Sequence, residues 1–123
     1  MSATPAVKAT LFHNPRCSKS RGALALLQER GVDVQIRDYL GQPPSPQELL
    51  ALLGALNLPA QAIVRFGEDT AKQLGLAKDD LRSQQEWLAL LSSHPILIER
   101  PIAQVGERAV VGRPPENVLD LLG

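Results

Sequence analysis

One cysteine stands where a predicted strand meets a predicted helix, and it is the residue best placed to do chemistry. Cys17 is the single cysteine of the chain, and Asn14-Pro15 breaks the β-prone run before it. A helix N-terminus presents unpaired N–H groups and about half a positive charge, which favour both a thiolate and a bound oxyanion. Only the thiolate is a good nucleophile. The position therefore predicts a reactive thiol whose pKa is lowered.

The residues around Cys17 can support a thiolate or an anion. His13 lies four residues upstream, within reach of the sulfur, and Ser18 and Ser20 can cap the helix or donate hydrogen bonds. The supporting loop comprises Asn14, Arg16, Ser18, Lys19, Ser20 and Arg21. Plainer interpretations stay open: Cys17 as an inert buried thiol, His13 as a packing residue, and the cations as solvated surface groups.

Counting thiols and spacings excludes several kinds of site. A single cysteine cannot form an internal disulfide, a CxxC redox pair or a Cys-rich zinc site. His13 and His94 are too few and too far apart for an obvious metal cluster. Cysteine-based phosphatases need a Cys-x5-Arg loop, but the sixth residue after Cys17 is Ala23 and the first arginine after Cys17 is Arg21. Arginines elsewhere must supply the rest of an anion site.

Three arginines stand at predicted turns, where a side chain can face a cleft. Arg65 follows Ile63-Val64, Arg100 precedes Pro101, and Arg113 lies between the last predicted strand and the last predicted helix. A guanidinium stays charged and binds two oxygens at once, which suits an oxyanion. Each arginine taken singly could equally be an ordinary surface cation.

The elements that must position these residues follow from periodicity. Residues 7–13 and 32–39 alternate as strands, and a helix from Ser18 to Arg30 joins them, with Gly31 as its stop. This order predicts a βαβ unit with parallel strands and a right-handed crossover.

The middle of the chain has helical rather than strand periodicity. Residues 44–93 are predicted to be helical, starting at a capping box of Ser45 and Glu48 and followed by helical stretches near 59–64, 68–75 and 83–92. Strands return at 96–98 and 102–103, and 105–111 forms a hairpin. The last helix starts at Pro114-Pro115-Glu116, and its inward-facing side chains are expected to be Val118, Leu119 and Leu122. The fold class is therefore α/β: a four-stranded mixed sheet with an all-helical insertion.

Charge balance and hydropathy exclude several classes of protein. The chain has 123 residues, with 13 Lys and Arg balanced by 13 Asp and Glu, which argues against a nucleic-acid binder that relies on positive charge. No apolar run reaches the roughly 20 residues of a membrane span, and residues 1–10 lack the apolar core of a signal peptide. We expect a cytoplasmic protein with no membrane or nucleic-acid partner, no metal, and a monomeric state.

Six motifs follow one another within residues 10–122: His13-Asn14-Pro15-Arg16-Cys17-Ser18-Lys19-Ser20-Arg21, Tyr39-Leu40, Val64-Arg65, Gln73-Leu74-Gly75-Leu76, His94-Pro95-Ile96-Leu97-Ile98-Glu99-Arg100-Pro101-Ile102 and Val111-Gly112-Arg113-Pro114-Pro115-Glu116. In this order they resemble the ArsC family of glutaredoxin-linked arsenate reductases. The Arg-Cys-Ser-Lys-Ser form of the first motif resembles the chromosomal subgroup, in which arsenate need not be the physiological substrate.

The resemblance implies a fold and roles for single residues. It implies one ArsC-like domain over 1–123, with a thioredoxin-like core at about 5–42 and 95–123 and the helical insertion at about 43–94. Cys17 would be the nucleophile that attacks arsenate. The remaining implied roles are oxyanion binding by Arg65, Arg100 and Arg113, tuning of the thiol by His13, and a cis-proline at Pro101.

The single cysteine also shapes the expected mechanism. No internal thiol can resolve an adduct on Cys17, so an external thiol must do so, and glutathione is the abundant candidate. The resemblance implies a glutathione mixed disulfide that glutaredoxin then removes, with no tightly bound cofactor. Two alternatives remain: a glutathione-dependent oxidoreductase for another oxyanion or a protein disulfide, and a non-enzymatic regulatory scaffold resembling Spx, whose usual CxxC switch is absent here.

Overall fold

The computed structural model describes residues 7–122. Residues 1–6 and 123 lie outside the described part. The predicted core, from about residue 5, and the predicted lack of a signal peptide in residues 1–10 both concern some of these residues. The strands are β1 Lys8–Phe12, β2 Asp33–Arg37, β3 Ile102–Val105 and β4 Arg108–Val111. The helices are α1 Ser18–Glu29, α2 Pro46–Leu56, α3 Asp69–Gln73 and α4 Gln84–Ser93, and 3₁₀ turns cover Ala60–Ile63, Pro95–Leu97 and Pro115–Leu122.

The described chain divides into two compact units. One, the sheet unit, holds the residues up to Asp38 together with those from Arg100 onwards. The other, the helical unit, is Tyr39–Glu99.

The sheet unit is a four-stranded mixed sheet in the order β2-β1-β3-β4. β1 pairs with β2 in parallel and with β3 antiparallel, and β3 pairs antiparallel with β4. The parallel pair is joined through α1, as the alternation and helical periodicity of residues 7–39 predict. The expected α/β class with a mixed sheet is confirmed.

Alternation along β1 decides which side chains form the core of this unit. Ala9 and Leu11 point to one face, where they join Ala103 of β3. α1 covers that face with Ala23 and Leu27, one turn apart. Gly31 adopts a φ of +73° just after the helix, a conformation that glycine adopts without steric cost, and so ends α1 where the sequence predicts.

Two sequence expectations near the C-terminal end are wrong. The strand expected at 96–98 is instead a 3₁₀ turn at Pro95–Leu97, because Pro95 has no N–H to give to a strand ladder and fits the first turn of a helix. The last helix is also 3₁₀, over Pro115–Leu122, so residues three apart share a face. Val118 faces inward as expected and is buried together with Leu121, Leu122 packs partly buried against the same core, and Leu119 is only partly buried.

The helical unit is held by capped helices around one large aromatic side chain. The expected capping box is confirmed: Ser45 Oγ accepts from the Glu48 N–H at 3.1 Å, and the Ser45 N–H donates back to the Glu48 carboxylate at 3.1 Å. Ser83 caps α4 in the same way. Trp87 is fully buried and meets the Phe66 ring edge-on, with 5.9 Å between centroids.

No helix of residues 7–122 combines the length and the apolar character needed to cross a bilayer.

A tight backbone approach joins β4 to the turn that precedes β3. The Arg100–Pro101 and Arg113–Pro114 peptide bonds are both cis. The Gly112 N–H donates to the Pro101 carbonyl at 2.8 Å. A Cβ at Gly112 would lie 2.8 Å from Pro101 Cγ and 3.1 Å from a methyl carbon of Val118, so only glycine fits without displacement.

We predict that Gly112→Ala lowers the free energy of unfolding by about 1–3 kcal/mol, because the ring of Pro101 must move. Urea unfolding followed by circular dichroism measures the change. The matched control is Gly54→Ala, inside α2, where a Cβ meets nothing within 4 Å. That variant should gain about 0.5–1 kcal/mol from helix propensity. Equal effects of the two variants would contradict the packing argument.

Candidate active site

Cys17 is the residue that caps the N-terminus of α1. Its backbone is extended, with φ −92° and ψ 123°, and the first helical turn follows it directly. The Cys17 N–H donates to the Asn14 carbonyl at 3.0 Å, and the Cys17 carbonyl accepts from the Arg21 N–H at 3.0 Å. The side chain is partly exposed. The thiol is therefore held at a helix start and remains accessible.

A buried serine hydroxyl holds the loop that leads to Cys17. Ser20 is fully buried, and its Oγ accepts from the Asn14 N–H at 3.0 Å. The same oxygen lies 2.6 Å from His13 Nδ1. The hydroxyl thus ties the end of β1 to the first turn of α1.

Two further hydrogen bonds shape the outer side of the loop. Asn14 Oδ1 accepts from the Arg16 N–H at 3.0 Å, which is an Asx turn. Arg21 donates from Nη1 to the Pro15 carbonyl at 2.9 Å. Arg21 therefore braces the loop with its guanidinium, while the contact of Arg16 uses its backbone.

His13 is buried, and its imidazole contacts the Ser20 hydroxyl. Burial lowers the pKa of His13 from 6.5, and the positive charge of Arg21 lowers it further. Both effects favour the neutral imidazole, which offers the thiolate no positive charge. That His13 tunes Cys17 stays a prediction, and the geometry favours an indirect route through Ser20.

The pKa of the Cys17 thiol reflects opposing effects. Partial burial raises it, but the N–H groups of Ser20 and Lys19 and the guanidinium of Arg100 together lower it below its ordinary value. The sulfur makes no capping hydrogen bond of ordinary length, yet it lies close enough to these N–H groups for them to stabilise the anion. A lowered pKa is the direction that the helix start predicts, and the cation that acts on the thiolate is Arg100.

Arg113 supports the segment that carries Arg100. Its Nη1 donates to the Arg100 carbonyl at 3.0 Å. The Asn117 amide donates in turn to the Arg113 carbonyl at 3.2 Å, a contact that no sequence motif indicates. Cys17, Arg100 and Arg113 thus all belong to the sheet unit, where Arg100 lies beside the thiol and Arg113 donates to the Arg100 backbone.

Arg65 belongs to the helical unit and has two carboxylate partners there. Its Nε lies 3.0 Å from Glu68, and its Nη1 lies 2.7 Å from Glu99. Burial lowers the pKa of Arg65, but both carboxylates raise it, and the net shift is upward. The predicted part of Arg65 in anion binding stays a prediction. Nothing in the sequence indicates that Glu99 is its partner, because the two residues are far apart along the chain.

The arrangement around Cys17 can do one kind of chemistry directly. A stabilised thiolate attacks an electrophile, and the neighbouring guanidinium can bind oxygens on that electrophile. Within residues 7–122, no group of three or more His, Cys, Asp and Glu side chains is placed to hold a metal ion. The groups that the described site does supply are a thiolate, backbone N–H groups and arginines.

We predict that Arg100→Gln raises the pKa of Cys17 toward the free-thiol value of roughly 8.5, because the variant removes the positive charge beside the sulfur. Titration of the thiolate by its ultraviolet absorbance measures the shift. Arg16→Gln removes an exposed charge from the same loop and should leave the pKa nearly unchanged. If Arg16→Gln shifted the Cys17 pKa more than Arg100→Gln does, the charge next to Cys17 in the sequence would control the thiol, and the assignment to Arg100 would be wrong.

We predict that Ser20→Ala lowers the free energy of unfolding by about 1–3 kcal/mol, because the Asn14 N–H and His13 Nδ1 both lose a buried partner. Ser18→Ala, two residues away and exposed, should change it by less than about 0.5 kcal/mol. The midpoints of urea unfolding of the two variants measure these changes in stability. A tolerated Ser20→Ala would mean that the loop does not depend on the hydroxyl.

Comparison with known proteins places this geometry in a family. Residues 12–121 match the ArsC family. The chain is 44% identical over 109 residues to an arsenate reductase of Neisseria meningitidis serogroup A, covering 88% of this chain and 92% of that protein. It is 41% identical over 114 residues to a protein of Escherichia coli K12 named uncharacterized protein YfgD, covering 92% and 95%.

A solved structure shows the same fold. It is described as an arsenate reductase from Vibrio cholerae, with a TM-score of 0.90 and 42% identity, and the match covers 94% of this chain and 98% of that one. The expected thioredoxin-like α/β fold is confirmed by this likeness. With a family match over nearly its whole length and relatives above 40% identity, the chain belongs to the ArsC family.

Proposed function

We propose that this chain reduces arsenate to arsenite, with glutathione as co-substrate and glutaredoxin as the partner that regenerates Cys17. The observation that carries the proposal is the partly exposed Cys17 thiol, whose pKa is lowered at the start of α1 beside Arg100. Relatives named arsenate reductase, 44% identical, support arsenate as the substrate. The absence of a second cysteine supports an external thiol as the reductant.

In this proposal the arginines bind the oxyanion. Arg100 lies beside the sulfur, so its guanidinium can neutralise arsenate oxygens as the thiolate approaches. Arg113 donates to the Arg100 carbonyl and is proposed as the second oxyanion-binding residue. Arg65 is proposed as the third oxyanion-binding residue.

The proposed reaction reduces arsenic(V) to arsenic(III) while the thiols of Cys17 and glutathione are oxidised to a disulfide. The Cys17 thiolate attacks arsenic(V) and displaces an arsenate oxygen, which leaves as water once protonated. The thiol of glutathione then attacks the Cys17 sulfur, the S–As bond breaks, and its electron pair stays on arsenic, which becomes arsenic(III). The products are arsenite and a Cys17–glutathione disulfide. Glutaredoxin thiolate attacks the glutathione sulfur of that disulfide and releases the Cys17 thiolate.

The test is the mass of the protein after incubation with arsenate and glutathione. We expect an increase of one glutathione on Cys17, formed faster with arsenate than with glutathione disulfide alone, and removed by glutaredoxin. Cys17→Ser should give no adduct while keeping its fold, because a hydroxyl is close in size to a thiol but is a poor nucleophile.

Two results would contradict the proposal in different ways. An adduct that forms equally well without arsenate would favour a glutathione-dependent protein thiol reductase. The absence of any adduct on folded, reduced protein would favour a non-enzymatic role. Glutathione- and glutaredoxin-dependent consumption of NADPH, measured in parallel with arsenate and with disulfide substrates, separates the first outcome from arsenate reduction.

A further inference from the structure

The guanidinium of Arg65 is held between two carboxylates. Nη1 lies 2.7 Å from Glu99 Oε1, and Nε lies 3.0 Å from Glu68 Oε1. All three side chains are only about a quarter exposed, at 22%, 23% and 25% for Arg65, Glu99 and Glu68. Partial shielding from water strengthens both attractions compared with surface ion pairs.

The backbone fixes the Glu99 contact. Val64 and Ile98 form an antiparallel bridge. On one side of it the Arg65 N–H donates to the Leu97 carbonyl, and on the other the Glu99 N–H donates to the Ile63 carbonyl, both at 2.7 Å. These bonds bring together two segments that are distant in sequence. The ion pair with Glu99 is therefore a product of tertiary structure, whereas Glu68 is a local partner three residues along the chain.

The charges around Arg65 do not favour a free anion. A cavity of about 480 Å³ is lined by Arg65, Glu68, Lys78 and Glu99, together with Val64, Phe66 and Gly67. An oxyanion that approaches Arg65 there meets one guanidinium and two carboxylates, and the exposed Lys78 adds a second positive charge. The two carboxylates offset much of the attraction that Arg65 would otherwise exert.

We propose that Glu99 is a positioning residue that restrains Arg65: its carboxylate occupies donors of the guanidinium and opposes an incoming oxyanion. The inference rests on the proposed function, in which Arg65 binds the oxyanion. It adds that this arginine is partly neutralised in the resting chain, so that Glu99 sets how strongly Arg65 contributes.

The main experiment compares Glu99→Gln with the unmodified chain. The amide keeps the shape of Glu99 but removes its charge, so KM for arsenate should fall about fivefold, with kcat and the Cys17 pKa unchanged. The affinity for inorganic phosphate, measured by calorimetry without turnover, should rise by the same factor. Glu107→Gln removes the same charge from the exposed turn between β3 and β4 and should change neither quantity.

The direction of the change separates restraint from mere structural support. If Glu99 only stabilises the fold, Glu99→Gln raises KM or leaves it unchanged, and the proposal is overturned. Glu68→Gln removes the other carboxylate and should also tighten phosphate binding, so the proposal stays testable if the Glu99 variant folds poorly.

Arg65→Gln distinguishes failure of the inference from failure of the proposed function. In the Arg65→Gln background, Glu99→Gln should no longer tighten phosphate binding, because no guanidinium is left to release. If Arg65→Gln raises KM but Glu99→Gln does not lower it, Arg65 binds the anion and the restraint is wrong. If Arg65→Gln changes neither KM nor phosphate affinity, the assignment of Arg65 to the oxyanion fails instead.

Discussion

The shape of the reactive loop depends on the buried hydroxyl of Ser20. This one oxygen meets His13 at the end of β1 and the Asn14 N–H in the loop, while its own residue lies in the first turn of α1. A buried polar group that loses its partner costs free energy, so each of these contacts helps to hold the loop. The N–H groups that lower the Cys17 pKa belong to this same turn.

Arg100 and Arg65 have different neighbours. Arg100 lies beside a thiol, and its backbone is held by Arg113, within a corner where Gly112 packs directly on Pro101. Its charge therefore acts on the sulfur. Arg65 instead has carboxylate partners within hydrogen-bond distance. The two guanidinium groups therefore have different described neighbours, a thiol for Arg100 and two carboxylates for Arg65.

The sequence by itself determined the parts of this protein that depend on neighbours along the chain. Alternation and helical periodicity predicted the parallel pair β1 and β2 with α1 between them, and the serine-glutamate spacing predicted the cap of α2. The position of Cys17 at a strand-to-helix junction predicted a lowered thiol pKa, because the N–H groups responsible lie two and three residues away. Local hydrogen bonds and periodic burial leave a signature in sequence spacing.

Tertiary structure decided which distant charges meet. The cation that acts on Cys17 is Arg100, brought there by the sheet, and the partner of Arg65 is Glu99, brought there by the bridge between Val64 and Ile98. It also converted the expected last helix into a 3₁₀ helix with a different buried face. Attraction between charges depends on distance in space, and sequence separation does not report that distance until the chain has folded.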